Sequence, residues 1–179
     1  MAPARPVTVW MLLVLLPCAT GLHLVFGAHN IPHPSKVGKG GEDAFFCDDY
    51  LGTFGIADGV GGSARGSVDP GAFSREVLKR CHLSSTTGGG AFVPKLTDTL
   101  RMATEIPIAL GGSATLLLGQ LEAGTDTLRL LNLGDSGAMV LRPALRKFGD
   151  TQVLFPRCVL RTQDQSHFFV SALSPPTHR

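Results

Sequence analysis

The chain has little of what several function classes require. Its four cysteines, Cys18, Cys47, Cys81 and Cys158, form no CxxC pair, so the usual spacing of a zinc site is missing. Cys47 lies in an apolar run and Cys81 on the apolar face of a helical pattern, which makes both small buried hydrophobes rather than members of a disulfide framework. Charged residues make up only 17% and the net charge is +2, so no basic field marks nucleic acid as a partner. The one basic group, Arg142, Arg146 and Lys147, reads as a solvated face. The 22 glycines recur at no fixed period, which excludes a repeat architecture.

What is present suits one globular domain or part of a larger one: 179 residues, 44% of them hydrophobic. Residues 7–16 (VTVWMLLVLL) are almost wholly apolar, with Arg5 before them and small residues at 18–21 after. That is the order of a secretory signal peptide. Extended to Phe26, the stretch approaches the ~20 residues of a membrane anchor. Residues 1–26 are therefore expected to be an apolar leader, whether signal, anchor or targeting segment, and a route to membrane association.

Residues 27–41 (GAHNIPHPSKVGKGG) read as an irregular lead-in in which Pro32 and Pro34 disfavour a helix and leave His29 and His33 as surface residues. Two short apolar runs, 44–48 and 53–57, flank a turn and suggest an antiparallel hairpin. Asp69-Pro70 is a helix start, with Asp as N-cap and Pro at the first helical position. Phe73, Val77, Leu78 and Cys81 then share one face. A second helix is expected over 94–105, with Leu96 and Leu100 inward and Pro107 as its limit. From Gly112 the period changes, and strands are expected over 113–121, 127–133, 138–141 and 152–155. A hairpin, two helices and a meander argue for an α+β layered fold. Residues 157–179 read as an irregular tail.

Three acidic motifs punctuate this order: Gly41-Glu42-Asp43, Asp58-Gly59 and Gly134-Asp135-Ser136-Gly137. Each sits where an apolar run meets a glycine turn, which presents carboxylates at a sheet rim, and such carboxylates bind hard cations. At Asp58 both carboxylate oxygens are free at a strand end and Gly59 leaves its carbonyl accessible. Two ions there could activate a water and clamp a phosphate. The plainer alternative is that Asp58 starts an Asx-turn. The GDSG sequence also matches the nucleophile motif of chymotrypsin-like proteases. However, the triad needs a histidine base, and His82 follows Cys81 in the wrong order within a helical pattern, so Ser136 reads as a turn residue.

Taken in order, GGEDAFF, FGIADGVGG, GGSATLLLGQL and LLNLGDSGAMVLR resemble the motifs of the PPM-type (type 2C) metal-dependent protein Ser/Thr phosphatases. The lead-in AHNIPHPSKVGKGGEDAFF and the segment VDPGAFSREV resemble the organellar subgroup, whose chloroplast and mitochondrial members include the photosystem II core phosphatase. The resemblance implies a four-layer αββα sandwich, two antiparallel sheets flanked by helices. It implies that Asp58 bridges two Mg2+ or Mn2+ ions, that Gly59 offers its carbonyl, that Glu42 and Asp43 act through water, and that Asp135 supports the cleft. The family's phosphate-binding arginine falls at Gly38, which leaves Lys36 and Lys39 as substitutes. A lysine brings charge without a bidentate fork. Val60 stands where a histidine often occurs. The later Asp-Gly and Asp-Asn ligand motifs are absent, so the domain at 27–156 is expected to be partial and incomplete at the C-terminus.

The expected function is metal-dependent hydrolysis of phosphoserine and phosphothreonine in a phosphorylated protein partner by an activated water. The alternatives are an inactive remnant that binds a phosphoprotein or other partner, and a signal-anchored structural domain. A monomer is expected. The resemblance points to an organelle, the chloroplast first, while the leader points to the secretory route.

Overall fold

The computed structural model describes residues 8–18, 21–60, 69–87, 98, 101–102, 105–106, 112–122 and 124–165. Strands β1 (Thr8–Cys18) and β2 (Gly21–Ile31) form an antiparallel hairpin with Thr8 opposite Ile31. The apolar run of the expected leader is thus extended, and β2 continues across residue 26. No helix among the described residues is long and apolar enough to cross a membrane. The lead-in is more regular than its composition suggests. After β2 a short 3-10 helix covers Pro34–Lys39, where proline is tolerated because its first N–H would be unpaired anyway. Ser35 N–H donates to His33 Nδ1 at its start, and Gly40, at φ 79°, ends it.

The expected hairpin is β3 (Ala44–Asp48) and β4 (Thr53–Ala57), with Ala44 opposite Ala57. Asp48 Oδ1 accepts from the Leu51 N–H at 2.9 Å and fixes its turn. The helix α1 (Pro70–Thr87) starts where the sequence places it, with Gly71 N–H donating to Asp69 Oδ1 at 3.0 Å. The expected helix over 94–105 falls mostly outside the described residues, including Leu96 and Leu100; Asp98, Arg101 and Met102 are helical. Strands β5 (Leu116–Leu121) and β6 (Leu128–Leu133) complete an antiparallel sheet in the order β3-β4-β5-β6.

That sheet is covered on both faces. On one side Phe73, Val77, Leu78 and Cys81 of α1 pack with Leu116 and Leu118 of β5, together with Met102 and Ile106. On the other, Phe54 and Leu121 are covered by Leu24, with Met11, Leu22 and Phe26 around them. The rings of Phe26 and Phe54 stand 6.1 Å apart and tilted. Two-sided cover explains why β5 is buried along its whole length and reads as a continuous apolar run. The described layers are therefore helix, four-stranded sheet and two-stranded hairpin: an α+β fold rich in antiparallel sheet.

The last hairpin corrects the expected short strands and tail. Strands β7 (Met139–Phe148) and β8 (Thr151–Arg161) are much longer, and residues 157–161 belong to β8. Gly149, at φ 60°, makes the turn. Pro143 and Pro156 lie opposite each other. A two-stranded ribbon has outward N–H positions on both strands, where proline costs no ladder bond. Leu141, Pro143 and Leu145 pair with Cys158, Pro156 and Leu154 on one face, while Arg142 pairs with Arg157 on the other. Arg146 lies over the Phe155 ring at 4.9 Å. Every residue of β8 is exposed.

Phe73 is fully buried at the centre of the α1 contact. Phe73→Ala is expected to lower stability by about 3–5 kcal/mol, read as a reduced urea midpoint with unchanged slope.

Candidate metal centre

Register alone gathers the acidic residues. Ala44 pairs with Ala57, so Asp43 and Asp58 face each other one step beyond the end of the β3–β4 ladder. On the next strand Thr115 N–H donates to the Asp58 carbonyl at 2.9 Å, and Gly59 bridges to Ala114. Leu116 pairs with Leu133, which brings the turn containing Asp135 and Ser136 to the same end of the sheet. Four neighbouring strands thus deliver Asp43, Asp58, Thr115 and Asp135 to one rim.

The backbone here has no spare room. A Cβ on Gly59 would lie 2.5 Å from the Glu42 carbonyl oxygen and 2.8 Å from Ser74 Oγ. A Cβ on Gly71 would lie 2.4 Å from the Gly41 carbonyl oxygen. Gly59 N–H donates to the Glu42 carbonyl at 3.2 Å, and Ser74 Oγ donates to the Pro70 carbonyl at 3.1 Å. The start of α1, the acidic lead-in and the end of β4 are thereby locked together. Thr115 Oγ1 accepts from the Asp58 N–H at 3.3 Å and pairs in turn with Ser136 Oγ.

Asp43 is buried, and its Oδ2 has no hydrogen-bond partner among the described residues. Loss of hydration raises its pKa, and the Glu42 charge adds to this, against the lowering effect of a hydrogen bond with Asp58 and of the Lys36 charge. Burial also pushes Asp58 up to about 7, helped by its hydrogen bond with Asp43 and by the charges of Asp43, Asp135 and Glu42. The Asp58 side chain nevertheless keeps a face open to solvent. An orphaned carboxylate oxygen beside crowded acids fits a divalent cation, which supplies the missing partner and relieves the repulsion. Among the described residues no three His, Cys, Asp or Glu side chains converge tightly enough to hold a metal by themselves. A cation here would complete its sphere with backbone carbonyl and water, as magnesium commonly does.

The other expected site residues are also located. Glu42, half-buried, is ion-paired with Lys36. Lys39 lines a shallow cleft beside Asp43. Asp135 is exposed at the rim. His82 pairs with Asp48 at 2.8 Å and stacks on Phe46 at the opposite end of the β3–β4 hairpin, while Ser136 bonds Thr115, so the protease geometry is absent. Thr115, Ser136, Ser74 and Gly71 support the site without having been singled out for it. Their contacts cross the fold, and only their place in shared motifs could have signalled them.

No protein-family model matches the chain. It is 37% identical over 155 residues to the probable protein phosphatase 2C 26 of Arabidopsis thaliana, covering 86% of this chain and 46% of that protein. It is 31% identical over 147 residues to the protein phosphatase PTC7 homolog of Xenopus laevis, covering 76% of this chain and 45% of that protein. The X-ray structure of the photosystem II phosphatase PBCP superposes with a TM-score of 0.61 at 28% identity, covering 94% of this chain and 55% of that one. The chain spans about half the length of these two phosphatase relatives. Sequence and fold agree on one class, the type 2C protein phosphatases. The chain belongs to that PPM-type family, in its organellar subgroup.

The raised Asp58 pKa sets a pH signature. An acid whose pKa is higher folded than unfolded favours the folded state only while protonated, so metal-free stability falls as pH rises from about 4 and levels off above about 7. Asp58→Asn removes that loss. In thermal melts with chelator, the variant is expected to match the wild type near pH 4 and to melt higher at pH 8.

Proposed function

We propose that the chain carries the divalent-cation site of a protein Ser/Thr phosphatase and acts on phosphoserine and phosphothreonine in protein substrates. The observation that carries this reading is the meeting of Asp43 and Asp58 at the sheet rim, one buried with an oxygen unpartnered among the described residues and the other among the charges of Asp43, Asp135 and Glu42. The phosphatase relatives and the PBCP fold support the same activity.

In this reading Asp58 and the Gly59 carbonyl would hold Mg2+ or Mn2+, and Glu42 and Asp43 would support the ions, in part through water. When bound, such ions supply Lewis acidity and a water of lowered pKa for in-line attack on phosphorus. The protein's own part is positioning. Thr115 fixes the Asp58 backbone from both sides, through its N–H and its hydroxyl. Ser136 fixes Thr115, and Asp135 adds negative charge to the rim. The Lys36–Glu42 pair keeps a cation at the edge of the cluster for an incoming phosphoryl group. The αββα sandwich, a monomeric state, a chloroplast setting and membrane association through the β1–β2 segment belong to the same proposal.

A second reading is an inactive module that binds phosphoprotein: the family's phosphate-binding arginine position is Gly38 here. Phosphate release from a phosphothreonine peptide by the full chain, with Mn2+ or Mg2+, separates the two. Metal-dependent release is expected, with Asp58→Asn reducing it by more than the about 10–100-fold that loss of an outer-shell partner costs. No release with either ion would leave only the binding module, and calorimetry with Mn2+ then tells whether that module still takes metal.

A further inference from the structure

Beside the acidic rim lies a shallow cleft of about 520 Å3 lined in part by Asn30, Lys39, Asp43 and Arg75. Two of these side chains carry buried oxygens with no hydrogen-bond partner among the described residues, Asn30 Oδ1 and Asp43 Oδ2. Two are cations. Lys39, the last residue of the 3-10 helix, has no ion-pair partner among the described residues. Arg75, on α1, is paired with Asp69 through Nη2 at 3.1 Å. A guanidinium has five N–H donors, and this pairing engages only part of the fork. The position of Arg75 is built in. Asp69 holds its head while capping α1, and the contact of Gly71 with Gly41 fixes that helix against the acidic lead-in.

We propose that this cleft seats the phosphorylated residue of a peptide substrate, with Arg75 as the principal phosphoryl-binding side chain and Lys39 as its helper. The inference rests on the proposed phosphatase reading for the source of the ligand, and on the cleft for its chemistry. A phosphoryl dianion approaching a rim of carboxylates needs fixed cations within reach. A planar guanidinium meets phosphate oxygens in pairs, which an ammonium does not. The cleft is shallow and open, so a peptide chain can continue on either side of the phosphorylated residue.

The test is binding, followed separately from turnover. A fluorescent phosphothreonine peptide, its unphosphorylated form and orthophosphate are titrated against the full chain, with Mn2+ and with chelator. The phosphopeptide is expected to bind in preference to the unphosphorylated peptide and to be displaced by orthophosphate. Arg75→Gln is expected to weaken it about tenfold or more, the scale of one charge-assisted hydrogen bond, with Arg75→Lys in between and Lys39→Gln giving a smaller loss. Circular dichroism checks each fold, and if Arg75→Gln is unfolded, Arg75→Lys and Lys39→Gln decide the matter. Equal affinity in wild type and folded variants, or no preference for the phosphorylated peptide, overturns the inference. Arg75-dependent binding without hydrolysis overturns the proposed activity and leaves the inference standing. Hydrolysis by Arg75→Gln at wild-type KM overturns the inference and leaves the activity.

Discussion

The backbone at Gly41 and Glu42 passes so close to Gly59 and to Gly71 that neither glycine has room for a side chain. Much of the rest of the molecule hangs on that contact. It fixes where α1 begins relative to the sheet, and so which face of the helix meets Leu116 and Leu118. It also sets the two acid-bearing segments against each other at the end of the ladder. Methyl groups at these positions would have to displace backbone oxygens rather than flexible side-chain ends, so the strain could not be absorbed locally.

A rim built this way is electrostatically uncomfortable. Asp43 is buried without a full set of partners, and Asp58 is held among like charges. Both arrangements cost stability in the absence of a cation. The hydrophobic cover on both faces of the sheet offsets that cost, with β5 buried along its whole length. The site and the core are in this sense one construction: β5, the most deeply buried strand, lies between the strands that lead to Asp58 and Asp135.

Much of the sheet was legible in the sequence because its signals are local. The Asp69-Pro70 start, the spacing of Phe73, Val77, Leu78 and Cys81, and the turn between 48 and 53 each act within a few residues, and each reappears as expected. The acidic motifs were legible because register carries neighbours with it: once Ala44 faces Ala57, Asp43 must meet Asp58. Other features were hidden for physical reasons. A continuous apolar run such as residues 7–16 has no alternation to distinguish a strand from a leader. The length of β7 and β8 was masked by their prolines, which are harmless only in a ribbon with free edges. Thr115 and Ser74 meet Asp58 and Gly59 across the fold, and no spacing along the chain brings them to the rim.

The β7–β8 ribbon has one more consequence. One of its faces carries three successive apolar pairs, Leu141–Cys158, Pro143–Pro156 and Leu145–Leu154, and both of its edges are open among the described residues. Such a surface governs colloidal behaviour rather than fold: it makes molecules adhere to one another face to face as concentration rises. The same ribbon resists the more dangerous edge-to-edge route, because Pro143 and Pro156 interrupt its outward N–H rows and its arginines repel a second basic ribbon. Any contact between molecules through this ribbon is therefore face to face, weak and salt-sensitive, which leaves the single chain as the species at low concentration.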